Sequence, residues 1–338
     1  MSAAPRPVAA RGVAEGSAAL RRGCALLRGE DWGIFDLSGK DAADFLHRQL
    51  SNEIRSLMPG QGTPTCFLNR EGRVLLYFNL WRTSEGFRAI LWGKQRHEFI
   101  RLMDQFIFRE EIVIKDRAED LSSILICGPR SEEALRGFLR TAAPPAALFS
   151  ITVNANGVEA DLYGLDWLAV PVFQLVGLKE GLVALVGGLR PRGVENVGWD
   201  PFEVLRIEKG TAWPEFEVDD SLIPFECGLA HAVSLTKGCY VGQEILARMH
   251  NLGKPPRELR GLVFEGDKVP ARGSSVLFED IEIGRTLSSG FSDLLGRPIA
   301  TASLRRKYLK AGTEIRVENL KGVVRDFPLT GDQRVENG

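Results

Sequence analysis

The residue pattern predicts an α+β fold that ends in a small all-β barrel, and three observations carry this. As far as about residue 186, hairpin-spaced β segments alternate with single amphipathic helices, as α+β folds do. From Arg260 on, short β-rich runs separated by Gly or Pro replace the helical periodicity. Between the two regimes, Lys254-Pro255-Pro256-Arg257 reads as a domain boundary. The expected organisation is a flexible leader over 1–28, an α+β body over 29–253 and a barrel domain over 257–338.

Taken in order, residues 1–30 are rich in Ala and Arg and poor in acids. Disordered leaders and mitochondrial transit peptides share that composition. Ala-Arg leaders are also common in bacterial chains, so the expected compartment is the bacterial cytoplasm, with the mitochondrial matrix as the alternative. Ser38 is the expected N-cap of the first helix, with Asp41 in its first turn and Phe45, Leu46 and Leu50 as its apolar stripe. Met58-Pro59-Gly60 ends that segment. Strands are expected over 65–68 and 73–80, joined by the turn Asn69-Arg70-Glu71-Gly72, and over 87–92. A helix over 95–106 turns Phe99, Leu102, Met103 and Phe106 inward. Strands near 112–115 and 123–127 precede a helix capped by Ser131, and the Ala- and Pro-rich run over 141–147 reads as a loop. Asp200 as N-cap, Pro201 at the first helical position and Glu203 announce another helix, which Gly210 stops. The barrel is expected to hold strands over 262–264, 276–278, 281–287, 299–304 and 315–317.

Composition narrows the function. The 43 basic and 44 acidic residues leave a net charge of −1, which disfavours extensive binding to a phosphate backbone. The longest uncharged apolar run, near 167–178, is too short to span a membrane and contains Pro171. The five cysteines, Cys24, Cys66, Cys127, Cys227 and Cys239, form no C-x-x-C pair. They suggest neither a disulfide framework nor a zinc site, and a reducing compartment fits best. No glycine-rich phosphate loop occurs, so nucleotide-dependent catalysis is not supported.

The densest chemistry lies in Lys237-Gly238-Cys239-Tyr240-Val241-Gly242-Gln243-Glu244, with Arg248 four residues on. A short helix is expected over 242–250, so Cys239 precedes a helix N-terminus and lies two residues from an ammonium. Both features favour thiolate. Cys239 therefore admits three readings: a cluster ligand or redox-sensitive thiol, a nucleophile, or a small packing residue. His231 and His250 are the nearest histidines in sequence, and only the fold brings either close.

The same residues carry a family resemblance. K-G-C-Y-x-G-Q-E resembles the signature of YgfZ-type folate-binding proteins, relatives of the glycine-cleavage T-protein that serve iron–sulfur cluster assembly or repair. The segments 33–42, 51–53 and Ile223-Pro224-Phe225-Glu226 are similar to other parts of that family. The resemblance implies a T-protein-like body with a tetrahydrofolate or other folate bound, and Leu205-Arg206-Ile207-Glu208-Lys209-Gly210 matches the family's R-L-E-A-G element. By that match Glu208 receives the pterin, accepting paired hydrogen bonds, with Arg206 beside it; the alternative is a solvated position in the last helical turn. Lys237 and Arg248 are either cations for the glutamyl tail or charges flanking a helix. One departure matters. The T-protein reaction uses an aspartate in a G-G-x-x-D-D element, whereas here no carboxylate occurs between Gly72 and Phe78. The implied role is an accessory factor working with iron–sulfur assembly proteins or client enzymes, with a transient cluster shared with a partner and only indirect effects on tRNA modification. The rival reading is a tetrahydrofolate-dependent aminomethyl- or demethyltransferase.

Overall fold

The computed structural model describes residues 13–28, 32–139, 143–155, 157–189 and 192–331. The chain opens with helix α1 (Val13–Arg22) and strand β1 (Cys24–Leu27). A first α+β unit follows: β2 (Trp32–Ser38), α2 (Ala42–Gln49), β3 (Gly62–Leu68), β4 (Val74–Arg82), β5 (Phe87–Trp92), α3 (Arg96–Phe106) and β6 (Val113–Asp116). A second holds β7 (Leu121–Cys127), α4 (Ser131–Leu139), β8 (Ser150–Ala155), β9 (Val158–Leu165), β10 (Val172–Leu178), α5 (Lys179–Leu189) and β11 (Val194–Asn196). Helices α6 (Trp199–Lys209) and α7 (Gln243–Leu252) lead to the barrel. Its strands are β12 (Arg257–Phe264), β13 (Ser275–Phe278), β14 (Ile281–Ser292), β15 (Arg297–Arg305), β16 (Glu314–Val317) and β17 (Leu320–Arg325).

These elements make two open sheets and one closed one. The five-stranded sheet has the order β3-β4-β5-β2-β6, the six-stranded sheet β11-β1-β7-β10-β9-β8, and the barrel closes as β12-β15-β14-β13-β16-β17. Closure removes the exposed edges that short β-rich segments otherwise leave. In the body, apolar residues of β2, β4, β5, β7, β9 and β10 meet between the two open sheets in one core with Phe202 and Trp213. Helices α2 and α3 cover the outer face of the five-stranded sheet, and α4 and α5 that of the six-stranded sheet. Arg88 on β5 ties the sheets together, donating to Asp36 on β2 at 2.7 Å and to Asp161 on β9 at 2.6 Å.

The barrel is seated on α6. Val204 and Ile207 pack against Val263, Ile299 and Leu329. Gly210 ends α6 in the left-handed region (φ 82°), and a Cβ there would lie 2.2 Å from the Phe327 ring. Glycine is thus needed both for the helix stop and for the close approach of the barrel.

The structure corrects several expectations. Positions 13–28 are not a flexible leader. Helix α1 packs on α6, and β1 sits inside the six-stranded sheet, parallel to β11 and antiparallel to β7. The short apolar Cys24–Leu27 run carries no period of its own, and its partners lie about 100 and 170 residues away, so local pattern could not find it. Ser38 belongs to β2, and Asp41 takes the N-cap of α2. Gly198 rather than Asp200 precedes α6. Positions 1–12 of the leader, 332–338 of the barrel domain and 141–142 of the expected loop lie outside the described residues.

Candidate functional site

The Lys237–Glu244 loop rests on the end of α2 and on the β3–β4 turn, and four of its residues hold it there. Lys237 is buried and donates to the carbonyls of His47, Leu50 and Asn52 at 2.5, 2.6 and 2.8 Å. These are the carbonyls at the C-terminal end of α2, where the helix dipole favours a cation. Burial pulls the Lys237 ammonium down to about 8. Tyr240 is buried, and its hydroxyl donates to the Ser234 carbonyl at 3.0 Å. Gly242 takes φ 81°, and a Cβ there would lie 2.7 Å from the Asn69 carbonyl oxygen and 2.9 Å from the Gly72 Cα. Only glycine lets the loop rest on the β3–β4 turn. The Gln243 amide then donates to the Tyr240 carbonyl as α7 begins, and Glu244 stands exposed in its first turn.

Cys239 takes no part in these contacts. It alone of the five cysteines is exposed. It lines a groove of about 820 Å³ together with Phe67, Leu75, Phe106, Ile245, Arg70 and Arg101. Burial pushes the thiols of Cys24 and Cys66 up to about 12 and raises those of Cys127 and Cys227 well above the ordinary thiol value. The Lys237 ammonium spends its donors on the carbonyls of His47, Leu50 and Asn52, which leaves none for a glutamyl tail. Arg248 is exposed on α7. His47 lies beside the loop: its Nε2 is 3.9 Å from where a Gly238 Cβ would project.

The R-I-E-K-G segment also departs from expectation. Arg206 is fully buried and spends all its donors inside the protein, on Glu203, Glu217, Ser288 and the Thr211 carbonyl. It cross-links α6 to the following loop and to β14, leaving nothing for a ligand. The Glu208 carboxylate accepts from Arg21 at 2.6 and 2.8 Å and from Ser292 at 2.6 Å. It therefore lies in the seam between α1, α6 and the barrel.

At the heart of the body lies something the sequence reading missed, an indole cluster. Trp32 stacks on Trp167 with ring centroids 5.7 Å apart, and Trp213 meets Trp92 and Trp167 edge-on at 5.4 and 5.0 Å. With Tyr77, Asn79 and Ile90, these four indoles line a cavity of about 30 Å³. No carboxylate is among its lining residues. The Tyr77 hydroxyl reaches the His231 Nε2 at 3.3 Å. The indole N–H groups of Trp92 and Trp213 are buried with no acceptor among the described residues. An unmatched buried donor costs about 1–3 kcal/mol. The six tryptophans are scattered along the chain, so only folding brings these four together.

A pterin fits this chemistry: flat indole faces for stacking and orphaned donors for its ring acceptors. The space, about 30 Å³, is smaller than a pterin. A resident iron–sulfur cluster does not fit the donors. Among the described residues no group of three or more His, Cys, Asp or Glu side chains converges, and one exposed thiol is too few.

The fold and these two sites define a class. Residues 4–160 match the GCVT N-terminal domain and residues 257–328 the glycine cleavage T-protein C-terminal barrel domain. The chain belongs to the aminomethyltransferase-like family built from these two domains. Among curated proteins it resembles an aminomethyltransferase of Chlorobium luteolum, 26% identical and covering 96% of this chain and 92% of that one. It also resembles an aminomethyltransferase of Xanthomonas axonopodis pv. citri, 27% identical over 90% of this chain and 85% of that one. The crystal structure of glycine cleavage system aminomethyltransferase T from Bartonella henselae superposes with a TM-score of 0.86 over 96% of this chain and 91% of that one. At 19% identity, that last likeness speaks to fold.

Proposed function

We propose that this protein is a folate-binding accessory factor for iron–sulfur cluster assembly or maintenance that presents Cys239 to a partner. One observation carries the reading. The signature loop is anchored by Lys237, Tyr240 and Gly242, and the Cys239 thiol is among the side chains it leaves exposed, on a groove. Any cluster passing through would draw its remaining ligands from the partner, and effects on tRNA modification would follow from the iron–sulfur enzymes served. The family supports the folate, whose ring would stack on the indoles of the central cavity once one of them swings aside to widen it. Against aminomethyl transfer stand the missing acid between Gly72 and Phe78 and the carboxylate-free lining. In its favour stand the names of the relatives.

Calorimetric titration with folate and tetrahydrofolate, followed by tryptophan fluorescence, tests the pocket. Cells lacking the protein and supplied with Cys239→Ser test the thiol. We expect folate binding with indole quenching, and no rescue of iron–sulfur enzyme activity by the variant. Multiple-turnover formation of methylenetetrahydrofolate from an aminomethylated donor would establish the transferase reading instead.

A further inference from the structure

One rim of the barrel gathers cations that the fold leaves unpaired. Arg257 at the start of β12 and Arg305 at the end of β15 stand directly opposite each other in the antiparallel register. Arg306 follows at once, its backbone N–H donating to the Pro256 carbonyl at 2.8 Å and its guanidinium to the Lys254 carbonyl at 3.2 Å. Lys307 comes next, in the short turn after β15, with its ammonium 5.6 Å from the centre of the Tyr308 ring. Two distant chain segments thus bring Lys254, Arg257, Arg305, Arg306 and Lys307 together. Four of these are exposed, and Arg257 is half-buried.

None of the five makes an ion pair among the described residues. Glu258, beside Arg257 in sequence, points to the other face of β12 and pairs with Arg260 at 3.0 Å. Asp326 also serves Arg260. Glu282 is close enough to Arg305 to feel its charge, but it is exposed and shared with Arg285 at 3.4 Å. Like charges directly opposite each other on paired strands repel, so the Arg257–Arg305 pair weakens the sheet that holds it. An ordinary solvated face intersperses the two signs instead.

The geometry points to this rim as a docking site for an acidic segment of a protein partner, one carrying several clustered Asp or Glu side chains. Guanidinium forks hold carboxylates through paired hydrogen bonds, and a bound acidic segment relieves the repulsion between the two opposed arginines. A long nucleic acid is a poorer occupant, because the whole chain carries a net charge of −1 and gives an extended polyphosphate no general attraction. The rim begins two residues beyond α7, and the Cys239 loop leads into the other end of that helix. Ten residues of helix measure about 15 Å, less than the width of one small domain. The inference rests on the reading that Cys239 is presented to a partner, and it names the chemistry by which that partner is gripped.

The test titrates fluorescein-labelled decaglutamate, and a decauridylate RNA of similar charge, into the full-length protein and into the double variant Arg257→Gln/Arg305→Gln. We expect the peptide to bind the wild-type protein at low salt and to bind the variant roughly ten-fold more weakly, as the loss of two partly screened ion pairs allows. The variant should melt no lower than the wild type, because it removes a like-charge pair. Unchanged peptide affinity in the folded variant, or tighter binding of the RNA than of the peptide through the same arginines, would overturn the proposal. In cells lacking the protein, the variant should lose most of its rescue of iron–sulfur enzyme activity while its Cys239 still alkylates at the wild-type rate. Full rescue by this variant, beside failure of Cys239→Ser, would overturn the docking role and leave the thiol reading standing. Full rescue by Cys239→Ser would overturn the thiol reading, and with it the partner named here, even where the peptide still binds.

Discussion

Cys239 and Arg206 show how differently two polar residues of matching family segments are used. The thiol is exposed on a groove, whereas the guanidinium is sealed among two carboxylates, a hydroxyl and a carbonyl. Two expectations follow at this scale. With limiting iodoacetamide, peptide mapping should find Cys239 alkylated roughly 100-fold faster than Cys66, because thiolate is the reactive form and Cys66 is both buried and pushed up to about 12. Comparable rates would mean that the groove is closed in solution. Replacing Arg206 by Ala should cost about 3–5 kcal/mol in urea denaturation, since Glu217 would be left buried and unpaired. A loss below about 1 kcal/mol would mean that the network relaxes into other pairings.

At the scale of elements, α2 and the signature loop stabilise each other. The C-terminal carbonyls of α2 need a cation, and Lys237 supplies one from 190 residues along the chain. His47, in the last turn of α2, is buried beside that ammonium. Burial first, and repulsion from Lys237 second, lower its affinity for a proton, while Glu53 partly opposes them. Because the folded-state value lies below the unfolded one, the contribution of neutral His47 is complete above about pH 6.5 and disappears as pH falls through the folded value. Melting temperature should therefore drop on acidification from about pH 7 to about pH 5, and His47→Gln should flatten that slope. An unchanged slope in the variant would assign the acid sensitivity elsewhere.

At the scale of the whole molecule, the core between the two open sheets gathers buried tryptophans from both. Each indole sealed there removes roughly 150–250 Å² from water, a gross gain of roughly 4–6 kcal/mol before ordering costs. The first described segment completes that core, with Leu20, Ala25 and Leu27 all buried in it. Deleting residues 1–28 should therefore yield aggregated protein or a much lower melting temperature, because β7 and β11 lose the strand between them and Glu208 loses Arg21. A soluble truncate with an unchanged melt would show that this segment only decorates the body.

Much of this molecule was legible in one dimension. The β3–β4 hairpin, the α3 stripe of Phe99, Leu102 and Met103, the stop of α6 at Gly210 and the β-rich barrel region all follow from periodicity and turn chemistry, which act over a few residues. The signature loop was legible too, since its glycines and cysteine are contiguous. What the residues could not reveal was which charges remain free for function. Arg21 and Glu208 are 187 residues apart, Arg88 and Asp161 are 73, and the indoles of the cavity come from four separate elements and loops. The sequence by itself determined the local elements, their order and a thiol in a glycine-framed turn. Tertiary structure alone decided that Lys237, Arg206 and Glu208 are committed to holding the fold, and that four distant indoles enclose one cavity. The physical reason is that a side chain's periodicity is set by its neighbours in the chain, whereas its partner is set by whichever charge or aromatic face the packed core brings to it.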